Sequence, residues 1–323
     1  MLVLPPSPLT LPQSKLIGRV IDNTSIKDYK TCARKYLYGQ VFHRRKRGLT
    51  APLAYGSQWH YMMEANYKAP IMSREDLIDH ARMAAAERYE SSGLDDYRTF
   101  DRGVLEFERY LKRYGLPWEE EAKTVGWPDM PLVELPVELP IPGARHPYAG
   151  KIDRIISVSG QYLIEDHKTA SQLRGDYFRQ FELDDQMLGY TALARILTGL
   201  PVAGVRINAH IVHKNDSIFE RQTIHFAEPR IQDWMQNLDI WMGRLEDSMA
   251  QLQASAGMTP AAQKVAVEAA FPANYSACAG KYGMCQYAGV CVLAPVARQA
   301  VLEAEFDEVP WNPLAVAEES IDG

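Results

Sequence analysis

The sequence predicts an α/β fold, and three observations carry that expectation. Apolar residues recur at helical spacing through the first third, a block of strand-like alternation fills the middle, and a long amphipathic pattern follows it. At 323 residues, with 46% hydrophobic and 24% charged side chains, the chain can bury a substantial core as one large domain or one domain with a helical lobe. Residues 1–20 are Pro-rich and read as an extended lead-in. In SIKDYKTCARKYLYGQ, Ile26, Tyr29, Tyr36 and Leu37 share helical spacing, with Ser25 placed to cap. AYGSQWHYMMEANY forms a second helix. Ser73, three residues before Asp76, caps a third, and Asp95 to Tyr114 reads as a fourth.

The pattern then changes period. PLVELPVEL, AGKIDRIISV and QYLIEDHKT alternate apolar with polar residues, and Ser159-Gly160 supplies the turn between the last two, so the three form a β-meander. GDYFRQFELDDQMLGYTALARILTG reads as a helix stopped by Gly199-Leu200-Pro201. VRINAHIVHK and FERQTIHF are two more strands about the Asn215-Asp216 turn, and Glu228 to Gln253 is a long amphipathic helix. No internal repeat or low-complexity segment appears. The expected layout is a lead-in over 1–20, one domain over 21–295 with a helical insert at about 60–125 and a Cys-rich segment at about 271–295, and an acidic tail over 296–323.

Charge narrows the function classes. The net charge of −6 argues against a protein that coats nucleic acid along its whole surface, since phosphate binding rests on clustered Lys and Arg. Its distribution is uneven. Lys27, Lys30, Arg34, Lys35, Arg44, Arg45, Lys46 and Arg47 face only Asp28 in the same stretch, whereas Val301 to Gly323 carries acidic residues and no basic one. The basic arm suits either a solvated helix face or a nucleic-acid contact, and the tail reads as a flexible, soluble end. The first residues lack the basic flank and cleavage site of a secretion signal, and no run approaches the roughly 18 apolar residues of a membrane span. A cytoplasmic protein is expected, with no membrane partner.

Asp153 lies on one predicted strand, and Asp166-His167-Lys168 ends the next. Strand side chains alternate, so Asp166 and Lys168 project to one face while Glu165 and His167 project to the other, and the hairpin brings Asp153 close to Asp166. On spacing alone such residues also suit turns and surface ion pairs. Two carboxylates in one place repel, however, and a cation between them relieves the cost. Oxygen ligands of this kind suit Mg2+ or Mn2+. A lysine beside such a metal can position or deprotonate water and stabilise charge on phosphate. His60, in GSQWHYMMEA, offers an imidazole, and Gln186 and Tyr190, four apart, share a helix face.

Together SIKDYKTCARKYLYG, the His of GSQWH, GKIDRI, IEDHKTA and QMLGY, running in order from about Ser25 to Cys291, resemble the RecB-like branch of the PD-(D/E)XK nucleases. That branch includes the RecB and AddB nuclease domains and the CRISPR-associated adaptation exonucleases. The resemblance implies a restriction-endonuclease-like core, a mixed central sheet flanked by helices. It implies His60, Asp153 and Asp166 as metal ligands, the Glu165 backbone carbonyl as another, Lys168 as the catalytic lysine, and Gln186 with Tyr190 as the Q-x-x-x-Y pair near DNA. Glu134 or Glu138 is a further candidate, and the sequence does not choose between them. Ala33 stands where the family often has proline.

The four cysteines, Cys32, Cys278, Cys285 and Cys291, make one complete ligand set for zinc or a cubane iron-sulfur cluster. Zinc sites usually show tight C-x2-C pairs, whereas six and five residues separate the last three here, which favours iron-sulfur. Iron-sulfur members of the resembling family place one cysteine before the nuclease core and three after it, as here, although their last three commonly include a two-residue gap. The cofactors implied are Mg2+ or Mn2+ and a 4Fe-4S cluster with a structural role. The resulting expectation is a metal-dependent DNA nuclease, an exonuclease acting on ends or single strands in recombination, repair, phage or CRISPR-linked processing. The rival from another class is a catalytically silent DNA-end-binding or scaffold protein. A zinc-stabilised nucleic-acid adaptor would leave the Asp/Lys/Gln/Tyr set unexplained. No phosphate-binding G-x-x-x-x-G-K-[ST] motif appears, so a helicase or recombination partner is expected to supply any unwinding.

Overall fold

A computed structural model describes residues 21–48, 50–93, 95–280 and 283–314; the expected lead-in over 1–20 and the last residues of the expected tail lie outside the described residues. In chain order the elements are α1 (Asn23–Thr31), α2 (Ala33–Tyr36), a π-helical turn (Leu37–Val41), β1 (Arg44–Lys46), α3 (Ala51–Lys68), α4 (Arg74–Ala86), α5 (Phe100–Tyr114), β2 (Lys123–Thr124), β3 (Val133–Pro140), β4 (Pro147–Val158) and β5 (Gln161–Ala170). There follow α6 (Asp185–Thr198), β6 (Val202–Val212), β7 (Ser217–His225), α7 (Glu228–Ala254), α8 (Pro260–Ala270), β8 (Ala279–Gly280), β9 (Gly283–Met284), α9 (Ala288–Cys291), α10 (Pro295–Glu305) and β10 (Phe306–Glu308). Among the described residues, no helix is long and apolar enough to cross a membrane. The chain divides into two compact units.

The larger unit spans 48–139 and 150–234 and is built on a mixed sheet of order β2-β4-β5-β6-β7, with β3 also paired to β4. The meander expected from the alternating segments forms, with β4 and β5 antiparallel about Ser159-Gly160, both in left-handed backbone. β5 and β6 are parallel, joined through α6, and β6 returns antiparallel into β7. Such a crossover buries strands on both faces, which explains why β5 and β6 hold long runs of buried residues. α6 is buried continuously from Met187 to Ala194, with Asp184 capping its start and Gly199, at φ 68°, its end. The helix expected from Gly175 therefore begins ten residues later, because Asp184 is extended and its carboxylate accepts from the Gln186 amide. α3, α4 and α5 close over an apolar cluster containing Trp59, Met62, Met63, Leu77, Phe107 and Tyr110. α5 starts at Phe100, capped by Thr99, and not at Asp95.

The other unit comprises residues 21–47, 140–149 and 235–313. Ser25 is not the cap of α1. Asp22 is, and Ser25 sits three residues on, each side chain accepting the other's backbone N–H. The single helix expected through Cys32 is broken there, where the backbone turns extended. Arg34, almost fully buried, donates to the Phe271 carbonyl at 2.9 Å, and Tyr36 stacks on Phe271. The acidic segment after 295 is no loose tail over its described part. Pro295–Glu305 is helical, and Phe306–Glu308 pairs antiparallel with Arg44–Lys46. Arg47 meets Asp307 at 2.9 Å and Arg44 meets Glu308 at 3.3 Å. The basic arm and the acidic segment are thus partners, and charge complementarity across the two strands explains the pairing.

Candidate active site

β4 and β5 position the acidic groups. Asp153 is buried on β4, and one of its oxygens, Oδ2, accepts the His167 amide at 2.8 Å across the hairpin. The same oxygen lies 3.5 Å from His60 Nδ1, delivered by α3. Glu134 completes the group, its Oε1 also 3.5 Å from His60 Nδ1. Candidate ligand atoms of His60, Glu134 and Asp153 all lie within 4.8 Å of one another. Glu134 is buried and holds a left-handed backbone, φ 51°, while Glu138 is exposed. The structure therefore chooses Glu134. A non-glycine residue in that region costs on the order of 1–3 kcal/mol and persists only where its surroundings demand it.

Beside this niche runs a chain of hydrogen bonds. The Lys168 ammonium is 2.8 Å from Asp166 Oδ2 and donates to Gln186 Oε1 at 3.1 Å, and Gln186 Nε2 donates to the Tyr190 hydroxyl at 2.9 Å. Gly150 lets Tyr190 in. A Cβ at that position would stand 2.5 Å from Tyr190 Cε1 and 3.2 Å from Leu193 Cδ1. Asp166 and Lys168 share one face of β5, and Asp166 is almost fully buried. Of the residues singled out in the sequence, the structure thus gathers His60 with Asp153, and Asp166 with Lys168, Gln186 and Tyr190.

Glu165 behaves differently. Its side chain is completely buried among guanidinium groups, 2.7 Å from Arg154 Nη1 and 2.6 Å from Arg206 Nε. Burial would raise its pKa, but Arg206, Arg221 and Arg154 hold it well below the usual carboxylate range. Attention to its backbone alone missed this role. His167 Nδ1 lies 3.0 Å from the Asn208 amide nitrogen, its ring stacks on Tyr67 and stands edge-on to His60 with centroids 6.0 Å apart, and burial pulls its pKa down to about 3, so the ring is neutral.

The charges of the niche are mutually strained. Burial pushes the Asp153 carboxyl up; His60 opposes this, while Asp166 and Glu134 add to the rise. Burial acts to lower the His60 imidazole, yet Asp153, Glu134 and Asp166 outweigh it and hold the pKa at about 9. Burial disfavours Glu134 as an anion, but His60 and Lys151 keep it ionised. Lys151, two residues before Asp153 on β4, meets Glu134 Oε2 at 2.5 Å. The same alternation that paired Asp166 with Lys168 could have found it, since residues 151 and 153 have equal parity. Two carboxylates and an imidazole in one buried niche form a donor set that fits a hard divalent cation.

A family model described as the PD-(D/E)XK nuclease superfamily matches residues 23–292. The chain belongs to the PD-(D/E)XK nuclease superfamily. This superfamily consists of nucleases that use divalent metals, and the mixed sheet flanked by helices agrees with its restriction-endonuclease-like fold. No curated protein matches the sequence. A solved structure titled "Crystal structure of SSO0001" is similar over 67% of this chain and 84% of its own, at 14% identity and a TM-score of 0.26, too distant to carry an argument. Among the described residues, ligand atoms of His60, Glu134 and Asp153 lie close enough together to hold a metal ion, and the Lys168 ammonium lies 2.8 Å from Asp166 Oδ2.

Proposed function

We propose that this protein is a divalent-metal-dependent deoxyribonuclease of the RecB-like type, an exonuclease acting on DNA ends or single strands. The observation that carries the reading is the niche of His60, Glu134 and Asp153 beside the Asp166–Lys168–Gln186–Tyr190 chain. His60, Glu134, Asp153 and Asp166, with the Glu165 carbonyl, would hold Mg2+ or Mn2+. Such an ion supplies Lewis-acid charge to the phosphate and a more acidic water. Lys168, held by Asp166 and Gln186, orients the water and stabilises the negative charge growing on the phosphate. Burial, the carboxylates of Asp166 and Asp153 and the hydrogen bond to Asp166 act on it together, and the net effect keeps it protonated, so it works as a cation and hydrogen-bond donor. Tyr190 and Gln186 fix its direction.

Cys32, Cys278, Cys285 and Cys291 would hold an iron-sulfur cluster that ties the start of the domain to its end. What supports this is that four free, half-buried thiols belong to one compact unit and that Cys32 and Cys278 act electrostatically on Cys291. Hydrogen bonds tie their surroundings, the Asn274 amide donating to Cys32 Sγ at 3.3 Å and the Cys285 amide to the Cys278 carbonyl at 2.7 Å. Burial raises the Cys291 thiol, and thiolate binding to iron would remove that penalty.

The test is cleavage of end-labelled single- and double-stranded DNA by anaerobically purified protein with Mg2+ or Mn2+. Metal-dependent loss of the end label supports the reading. Binding without cleavage, in protein that is folded and metal-loaded, replaces it by a catalytically silent end-binding protein.

A further inference from the structure

Lys151 is a second lysine on the acidic face, and nothing in the catalytic chain uses it. Its position follows from strand geometry: two residues before Asp153 on β4, it projects to the same side of the sheet. Its ammonium is 2.5 Å from Glu134 Oε2, and about a third of the side chain is exposed, whereas Glu134 is nearly enclosed. Glu134 therefore offers one oxygen toward His60 and the niche and the other to Lys151.

From this arrangement we infer that Lys151 is a substrate-contacting residue, binding a nucleic-acid phosphate at the rim of the metal niche. The inference rests on the metal-dependent nuclease reading. A divalent cation beside Glu134 draws on the same single negative charge that Lys151 shares. The ammonium then loses part of its share in Glu134, its contact partner, while Glu64 and Asp153 act on it through their charge, and it is partly solvated on the face where the phosphate must approach. A phosphate oxygen replaces the lost share, and an ammonium–phosphate contact is a charge-assisted hydrogen bond, among the stronger kinds. Lys151 and the cation are also like charges near one carboxylate, so Lys151 weakens metal binding while it strengthens phosphate binding. A residue that merely orients Glu134 would do the opposite to the metal.

The experiment compares wild type, Lys151→Met, Lys151→Gln and Lys151→Arg in the full-length protein, with circular dichroism to confirm folding. Calorimetry reports Mn2+ binding without nucleic acid, and steady-state cleavage of a single-stranded oligonucleotide reports KM and kcat. Lys151→Met and Lys151→Gln should bind Mn2+ equally or more tightly, raise KM about tenfold and change kcat by less than about threefold, as loss of one charged contact requires. Lys151→Arg should restore most of the KM. Weaker Mn2+ binding in the neutral variants, or a KM unchanged from an active wild type, overturns the assignment and leaves the nuclease reading standing. A folded wild type that binds Mn2+ yet cleaves no nucleic acid overturns both.

Discussion

Gly150→Ala tests the packing that delivers Tyr190 to Lys168. The new methyl would stand 2.5 Å from Tyr190 Cε1, 3.0 Å from Cδ1 and 3.2 Å from Leu193 Cδ1. The first of these distances is far inside van der Waals contact. Tyr190 lies in a continuously buried helix segment, so the ring cannot swing away freely, and either α6 shifts or the ring leaves its rotamer. Overpacking of this kind costs about 1–3 kcal/mol. Urea denaturation at pH 7.5 measures it. Because the clash is mainly with one ring, the same substitution made in a Tyr190→Ala background should cost under about 0.5 kcal/mol, leaving a coupling of about 1 kcal/mol or more. Displacing Tyr190 also breaks its bond to Gln186, so the folded single variant should lose about tenfold to a hundredfold in kcat, the upper end being the scale for a misplacement of about an ångström. Equal penalties in the two backgrounds would refute the claim that Gly150 exists to admit Tyr190.

Other expectations follow from the same geometry. Lys168→Ala, Asp153→Ala and Asp166→Ala should each lower kcat at least roughly a hundredfold while the protein stays folded, measured by cleavage and circular dichroism; near-normal cleavage by folded Lys168→Ala would sink the catalytic assignment. Glu165→Ala should fail differently, by destabilising the fold about 3–5 kcal/mol, because it strands the buried guanidinium of Arg154; a full-stability variant would contradict the buried network. His210 is buried against Trp59 and Phe219 with neither ring nitrogen hydrogen-bonded, and burial, aided by Arg102, depresses its pKa to about 3. The unfolded chain then takes up a proton that the fold refuses, so stability is complete above about pH 6.5 and is lost as pH falls from there toward 3. At pH 5 the loss is about 2 kcal/mol relative to pH 7.5, and His210→Phe should remove that component from urea titrations at the two pH values. Replacing Cys32 or Cys291 by alanine should cost the purified protein its brown colour, iron and acid-labile sulfide; colourless wild type with one zinc per chain would substitute a zinc clamp.

Local periodicity was enough to read much of this protein. Alternation places Asp166 and Lys168 on one face of β5, where they form an ion pair, and the spacing of four in QMLGY puts Gln186 over Tyr190, to which it donates. The meander, the β6–β7 hairpin and the long α7 were legible for the same reason: each depends on a period and a turn within a few residues. What tertiary structure alone decided depends on packing between segments distant in sequence. Glu134 and Glu138 have the same parity on one strand, so no local rule separates them; only the depth of Glu134 beside His60 and Lys151 does. Asp22 displaced Ser25 as the cap of α1, and an acidic stretch that composition assigns to a loose tail formed a helix and then a strand that pairs with β1 some 260 residues earlier, where Arg44 and the adjoining Arg47 meet Glu308 and Asp307. Glu165 likewise gains its stabilising role from Arg154 and Arg206, which join it only when β4, β5 and β6 assemble. Sequence determines which face a side chain takes, because that is set by backbone geometry; which charge it meets there is set by the assembled sheet.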